Sequence, residues 1–84
     1  MNLITWTPKA AKQLRKLDPH VRAWIYSAVQ SLTHMPACQN VRSLVQHEYG
    51  YRLRVGHYRV LFAWTAEVRI VEIQEVRKRD DRTY

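Results

Sequence analysis

Glycine is almost missing from this chain. Only Gly50 and Gly56 occur in 84 residues, and there is no low-complexity tract. With 46% hydrophobic residues, that composition argues against disorder and favours a packed fold. Cysteine is rarer still. Cys38 stands alone, so no internal disulfide can form, and a reducing cytoplasm is the expected location. Acids are scarce: seven Asp and Glu face fourteen Lys and Arg, for a formal charge of +7. A cationic excess on so short a chain points to a polyanionic partner, either nucleic acid, an acidic protein or an anionic membrane. No apolar run approaches the ~20 residues that cross a bilayer, and no leader pattern opens the chain, so a membrane role is not expected. Proline occurs three times, and each time it punctuates the chain.

What is present reads as one domain over 1–84 of the α+β class. Asn2–Trp6 is a short apolar run suited to a strand. Thr7-Pro8 is a helix start, with a capping hydroxyl followed by a residue whose φ is already helical. Ala10, Ala11, Leu14 and Leu17 then recur at helical spacing, which predicts a helix over about 8–17. Asp18-Pro19 repeats the start signal, and Val21, Ile25, Ala28 and Leu32 carry a second helix over about 19–35. Trp24 and Val29 widen its stripe, and Met35-Pro36 ends it. So short a connection predicts an antiparallel helix pair. Ala37–Gln46 has poor periodicity and reads as a loop. Cys38, His34 and His47 match no zinc spacing, so no metal or other cofactor is expected.

Gly50–Phe62, GYRLRVGHYRVLF, is the most informative stretch. Apolar and polar residues alternate on both sides of Gly56-His57, the pattern of two strands joined by a two-residue type II′ turn. That turn sets Val55 opposite Tyr58, Arg54 opposite Arg59 and Arg52 opposite Leu61. Cross-strand partners share a face. Tyr51, Leu53, Val55, Tyr58, Val60 and Phe62 therefore face the core, and Arg52, Arg54 and Arg59 face the other way. A last strand follows the Thr65–Glu67 turn at Val68–Val76, with β-branched residues on both faces, as in a central strand. The predicted architecture is an N-terminal strand and a helix pair packed on one face of a small, mainly antiparallel sheet over about 50–55, 58–64 and 68–76.

Arg54 opposite Arg59 is a like-charge pair, which a sheet tolerates at a cost of up to ~1 kcal/mol. Either an acid such as Glu72 neutralises it, or the face exists to hold an anion. Arginine stays charged and its planar fork binds phosphate oxygens in pairs. Cleavage of RNA by 2′-OH attack needs the nucleophile deprotonated, the phosphorane charge stabilised and the leaving oxygen protonated. Arginines supply the second need. Guanidinium groups hold their protons too firmly to serve the other two. Tyr84 is a candidate proton-transfer group or a platform for base stacking. Asp80 and Asp81 are candidate bases, or else orient Arg79. His57 lies at the hairpin tip and reads as turn surface.

The order of helix, helix and hairpin, with YRLRVGHYRVLF, then VRIVEI, then a tail of R-x-R-D-D-x-T-Y, resembles the RelE/ParE superfamily of bacterial toxins. The resemblance covers essentially the whole chain. Its tail resembles the RelE-like branch, which implies a metal-independent, ribosome-dependent endoribonuclease that cuts mRNA in the A site. By position it implies that Arg59 stabilises the phosphate and transition state, that Arg79 is the catalytic arginine following the last strand, and that Tyr84 activates or orients the 2′-OH or stacks on a base. Arg52 and Arg54 fall where that branch often has lysines. Arg77, Lys78 and Arg82, with Lys12 and Arg15 on the first helix, are the further cations expected to meet RNA. The implied partners are a cognate antitoxin, forming a hetero-oligomer, and the ribosome with its 16S rRNA and mRNA. Two alternatives stay open: a ParE-like inhibitor of DNA gyrase, and an inactive basic binding module on the same scaffold.

Overall fold

The computed structural model describes residues 1–45 and 49–78. Its elements run β1 (Leu3–Trp6), α1 (Pro8–Arg15), α2 (Pro19–Gln30), a 3₁₀ turn (Ser31–His34), β2 (Val41–Ser43), β3 (Tyr51–Val55), β4 (Tyr58–Thr65) and β5 (Ile70–Lys78). The five strands form one sheet in the order β1-β5-β4-β3-β2. β1 runs parallel to β5, and every other neighbouring pair is antiparallel.

Both helices begin where their caps predict. The Thr7 hydroxyl accepts a hydrogen bond from the Ala10 amide at 3.1 Å, and the Asp18 carboxylate accepts one from the His20 amide at 3.0 Å. Their ends come earlier than the apolar period suggests. α1 stops at Arg15, and regular α2 stops at Gln30 before tightening into the 3₁₀ turn. Hydroxyls near that end bond back to the chain: Ser31 to the Ala28 carbonyl at 2.7 Å and Thr33 to the Gln30 carbonyl at 3.0 Å. Such back-bonding competes with the regular helical pattern.

The sheet has one strand more than the sequence suggests. Val41–Ser43, read above as loop, pairs with β3. Three residues are too few to display a period, so only the neighbouring strand reveals it. β5 also starts later than expected. Ala66–Arg69 turn instead, with Arg69 at φ +56 and its amide donating to the Ala66 carbonyl. Val68 therefore lies in the turn, 61% exposed. β5 is an inner strand between β1 and β4, as its apolar composition predicts.

The core lies between the sheet and the helices. Ile25, Val29 and Leu32 from the helical side meet Leu53, Val60, Phe62, Val71 and Ile73 from the sheet, all essentially inaccessible. Each such side chain contributes roughly 1.5–3 kcal/mol through burial. Of the hairpin's expected core residues, Tyr51 and Tyr58 pack at the margin, half-buried. Asn2 is a buried polar hub. Its Nδ2 lies within hydrogen-bond reach of the Leu32, Thr33 and Met35 carbonyls, and its Oδ1 accepts from Trp64 Nε1 at 3.1 Å. The hub joins the start of β1 to the helical layer and to β4. α1 lies against β5 beyond the end of β1, and Gln13 Oε1 accepts from the Val76 amide at 2.7 Å. That bond satisfies a donor on a strand edge that β1 leaves open.

Gly56 has φ +58 and His57 has an ordinary negative φ, the pattern of a type II′ turn. The glycine is required twice over. A Cβ at this position would also collide with the Cη2 end of the Trp24 ring, which lies against the turn. Trp24 is thus 52% exposed yet still packs. Gly56→Ala should cost at least about 2 kcal/mol by urea denaturation, from left-handed strain plus the clash. Trp24→Ala in the same chain should recover the steric part only.

Candidate phosphate-binding site

The hairpin register is the one the turn dictates: Val55 opposite Tyr58, Arg54 opposite Arg59, Arg52 opposite Leu61. The flanking strands extend each row. β5 places Arg77 opposite Arg59 and Glu75 opposite Leu61, and β2 places Arg42 opposite Arg52. Arg77, Arg59 and Arg54 therefore stand in a line across three strands. The next row reads Glu75, Leu61, Arg52 and Arg42 across four. Five arginines and a single acid share these two rows.

A bulge makes this possible. The pairing slips between Leu61 and Phe62, so that Glu75 faces Leu61 while Ile73 faces Phe62. Gln74 is the extra residue. Val71, Ile73 and Val76 can then all reach the core, although strict alternation would send Val76 to the opposite face from Ile73. The same slip selects the acid. Glu72, the expected neutraliser, lies opposite Ala63 and hydrogen-bonds Gln74. Glu75 meets the arginine face instead.

Glu75 is 5% exposed and fully engaged. Arg77 Nε donates to it at 3.0 Å, Lys9 Nζ lies 3.3 Å away, and the Tyr49 hydroxyl also donates to it. Burial alone would raise its pKa. The hydrogen bonds from Arg77, Lys9 and Tyr49, with the Arg77 charge, outweigh burial and hold the carboxyl below its ordinary value.

The arginines differ in how they are held. Arg59 is 6% exposed, and its Nη1 donates to the Tyr58 carbonyl at 3.1 Å and the Gly56 carbonyl at 3.3 Å. It straps the turn as well as charging the face. Arg77 is exposed but tied to Glu75. Arg54 and Arg42 are exposed, and Arg52 is half-buried. None of these three forms an ion pair among the described residues. The Nε of Arg52 is buried with no hydrogen-bond partner there, a deficit worth about 1–3 kcal/mol. Asn40, Val41, Arg42, Arg52 and Arg54 line a cleft of about 240 Å³.

The other expected residues fall elsewhere. Lys12 and Arg15 are exposed on α1, and Lys78 is exposed opposite Tyr58, on the helix-facing side. His57 is exposed at the hairpin tip. Arg79, Arg82 and Tyr84, with Asp80, Asp81 and His47, lie outside the described residues. The Cys38 thiol donates to the Ser31 carbonyl at 3.2 Å, and burial pushes its pKa up. Among the described residues no three His, Cys, Asp or Glu side chains gather. Reading the sequence missed Arg42, Tyr49, Lys9 and Glu75. Only Arg42 carried a local signal, the alternation Val41-Arg42-Ser43, and it is too short to read.

A two-helix layer lies on one side of a sheet whose other face is basic. The family model for the ParE toxin of type II toxin–antitoxin system, parDE, matches residues 4–82, and the chain belongs to that family, within the RelE/ParE superfamily. No curated protein matches the chain. Solved structures share the fold. A chain of the RelBE2 toxin–antitoxin complex from Mycobacterium tuberculosis superposes with a TM-score of 0.78 at 24% identity, covering 93% of this chain and 98% of that one. The isolated RelE toxin of E. coli gives 0.79 at 20%, covering 95% and 86%. The archaeal RelE–RelB complex of Pyrococcus horikoshii gives 0.80 at 19%, covering 95% and 97%.

Two stability outcomes follow from these contacts. A carboxyl with a depressed folded pKa contributes stability above its unfolded value, about 4.3, and loses it as pH falls through the folded value. Glu75→Gln should therefore be less stable than wild type at pH 7, by about 1 kcal/mol. The gap should close in urea melts as pH drops below 4. Arg54→Leu should leave stability unchanged or raise it by up to ~1 kcal/mol, because it relieves repulsion at an exposed position. A loss above ~2 kcal/mol would mark Arg54 as structural.

Proposed function

We propose that this toxin is a ribosome-dependent endoribonuclease that cleaves mRNA by 2′-OH attack and so stops translation. One observation carries the reading: five arginines on a rigid sheet face against one fully engaged acid. Arg54, Arg59 and Arg77 form the line along which a scissile phosphate lies. Their charge meets the negative charge that grows on the phosphorane oxygens. The sheet holds them, so little reorganisation accompanies the reaction. Arg52 lies in the adjacent row, beside that line.

Guanidinium groups do not move protons near neutral pH. Glu75 is committed to Arg77, Lys9 and Tyr49. Proton transfer is therefore assigned to the tail, with Tyr84 acting on the 2′-OH and Arg79 completing the charge. This assignment follows the family resemblance. The same resemblance assigns a cognate antitoxin whose acidic or amphipathic segment covers the face. The RelE–RelB complexes among the similar folds support such a partner. The reaction needs no metal.

The ParE description of the matching family favours a second reading, inhibition of DNA gyrase without RNA cleavage. Brief expression with translated and untranslated reporter messages separates the two. Mapping of 5′ ends should give codon-phased cuts on the translated message alone, weakened at least about a hundredfold in Arg54→Ala and in Tyr84→Phe. Intact message with gyrase-dependent DNA breaks would establish the second reading.

A further inference from the structure

Arg42 has no part in the reaction just described, yet the fold sets it directly opposite Arg52 on the edge of the sheet. Two guanidinium groups face each other there with no acid among the described residues to separate them. The pair is not required by the core, because Arg42 is exposed and β2 contributes only Val41 to the packed side. A cleft of about 240 Å³ opens between these residues, lined also by Asn40 and Arg54. Asn40 sits at φ +62, with its backbone carbonyl accepting from the Arg54 amide at 2.9 Å. Its side-chain amide has no hydrogen bond among the described residues. The Nε of Arg52 is buried and likewise has none there. The cleft therefore concentrates positive charge, and among the described residues no carboxylate lines it.

We propose that Arg42, Arg52 and Asn40 form a positioning subsite for one backbone phosphate of single-stranded RNA, next to the Arg54–Arg59–Arg77 line. The cleft has room for a backbone phosphate, and guanidinium and amide donors match phosphate oxygens. A contact of this kind fixes register along the strand and carries no base information. It sits one row along the sheet from the reacting line, so it holds a neighbouring nucleotide while Arg54 borders both. RNA as the polyanion rests on the nuclease reading above, but the subsite itself is tested by binding alone.

The probe is a short single-stranded 2′-O-methyl RNA, which cannot be cleaved by 2′-OH attack. Its affinity for the full-length toxin is measured by fluorescence anisotropy over a range of salt. Removing one phosphate contact flattens the plot of log affinity against log salt by about 0.7. Arg42→Ala and the similar-length Arg42→Gln should both show that change. Arg22→Ala removes the same charge from α2 and should keep the wild-type slope. Thermal melts of each variant check that it is folded. A wild-type slope in folded Arg42→Ala or Arg42→Gln overturns the subsite, as does a toxin that fails to bind the probe. If the toxin cuts no message yet the Arg42 variants flatten the slope, the subsite stands and the nuclease reading falls.

Discussion

The Gly56-His57 turn is the constraint on which the rest of the sheet depends. It fixes the β3–β4 pairing, and a slip of one residue would reverse both faces of β4 against β3. Val60 and Phe62 would lose their place in the core, and Arg59, on the other face of β4, would have to enter it. The turn is itself held from two sides. The Trp24 ring closes over Gly56, and Arg59 Nη1 bonds to the carbonyls of Gly56 and Tyr58. One arginine of the basic face thus stabilises the turn that creates the face. This double use explains why Arg59 is buried while Arg54, directly opposite, is exposed.

Concentrating cations on one face works against stability, and the fold limits the damage by treating each arginine differently. Arg77 is neutralised by Glu75, whose carboxyl is also held by Lys9 from α1 and by the Tyr49 hydroxyl. Arg59 gives its protons to backbone carbonyls. Arg54 and Arg42 keep their charge in water, where repulsion is screened within roughly 10 Å. The remaining strain gathers at Arg52, whose Nε lacks a partner among the described residues. The exposed arginine on β2 has a second benefit, because a charged, three-residue edge is a poor template for pairing with another chain.

Legibility in the sequence followed the reach of each signal. The hairpin was readable because its period of two and its glycine turn lie within a dozen residues. The helix starts were readable because Thr7-Pro8 and Asp18-Pro19 are local chemistry. β2 was not, since three residues carry no period. The acid facing the arginines was not either. Choosing Glu75 over Glu72 requires the bulge at Gln74, and the bulge is set by packing of Val76 and Ile73 against helices far away in sequence. The late start of β5 has a similar origin. Arg69 adopts positive φ without being glycine, so no residue type announced the turn.

The family match and the similar folds identify a toxin scaffold, and a scaffold hosts more than one chemistry. The chemistry must be argued from the site. The sheet face has what phosphoryl transfer needs in charge and lacks what it needs in proton transfer. Its one acid among the described residues is ionised and shared among three donors, and guanidinium groups stay protonated. On the nuclease reading, labour is therefore divided between two parts of the chain. The sheet supplies a fixed electrostatic cradle, and the segment after Lys78 supplies the proton-transfer group.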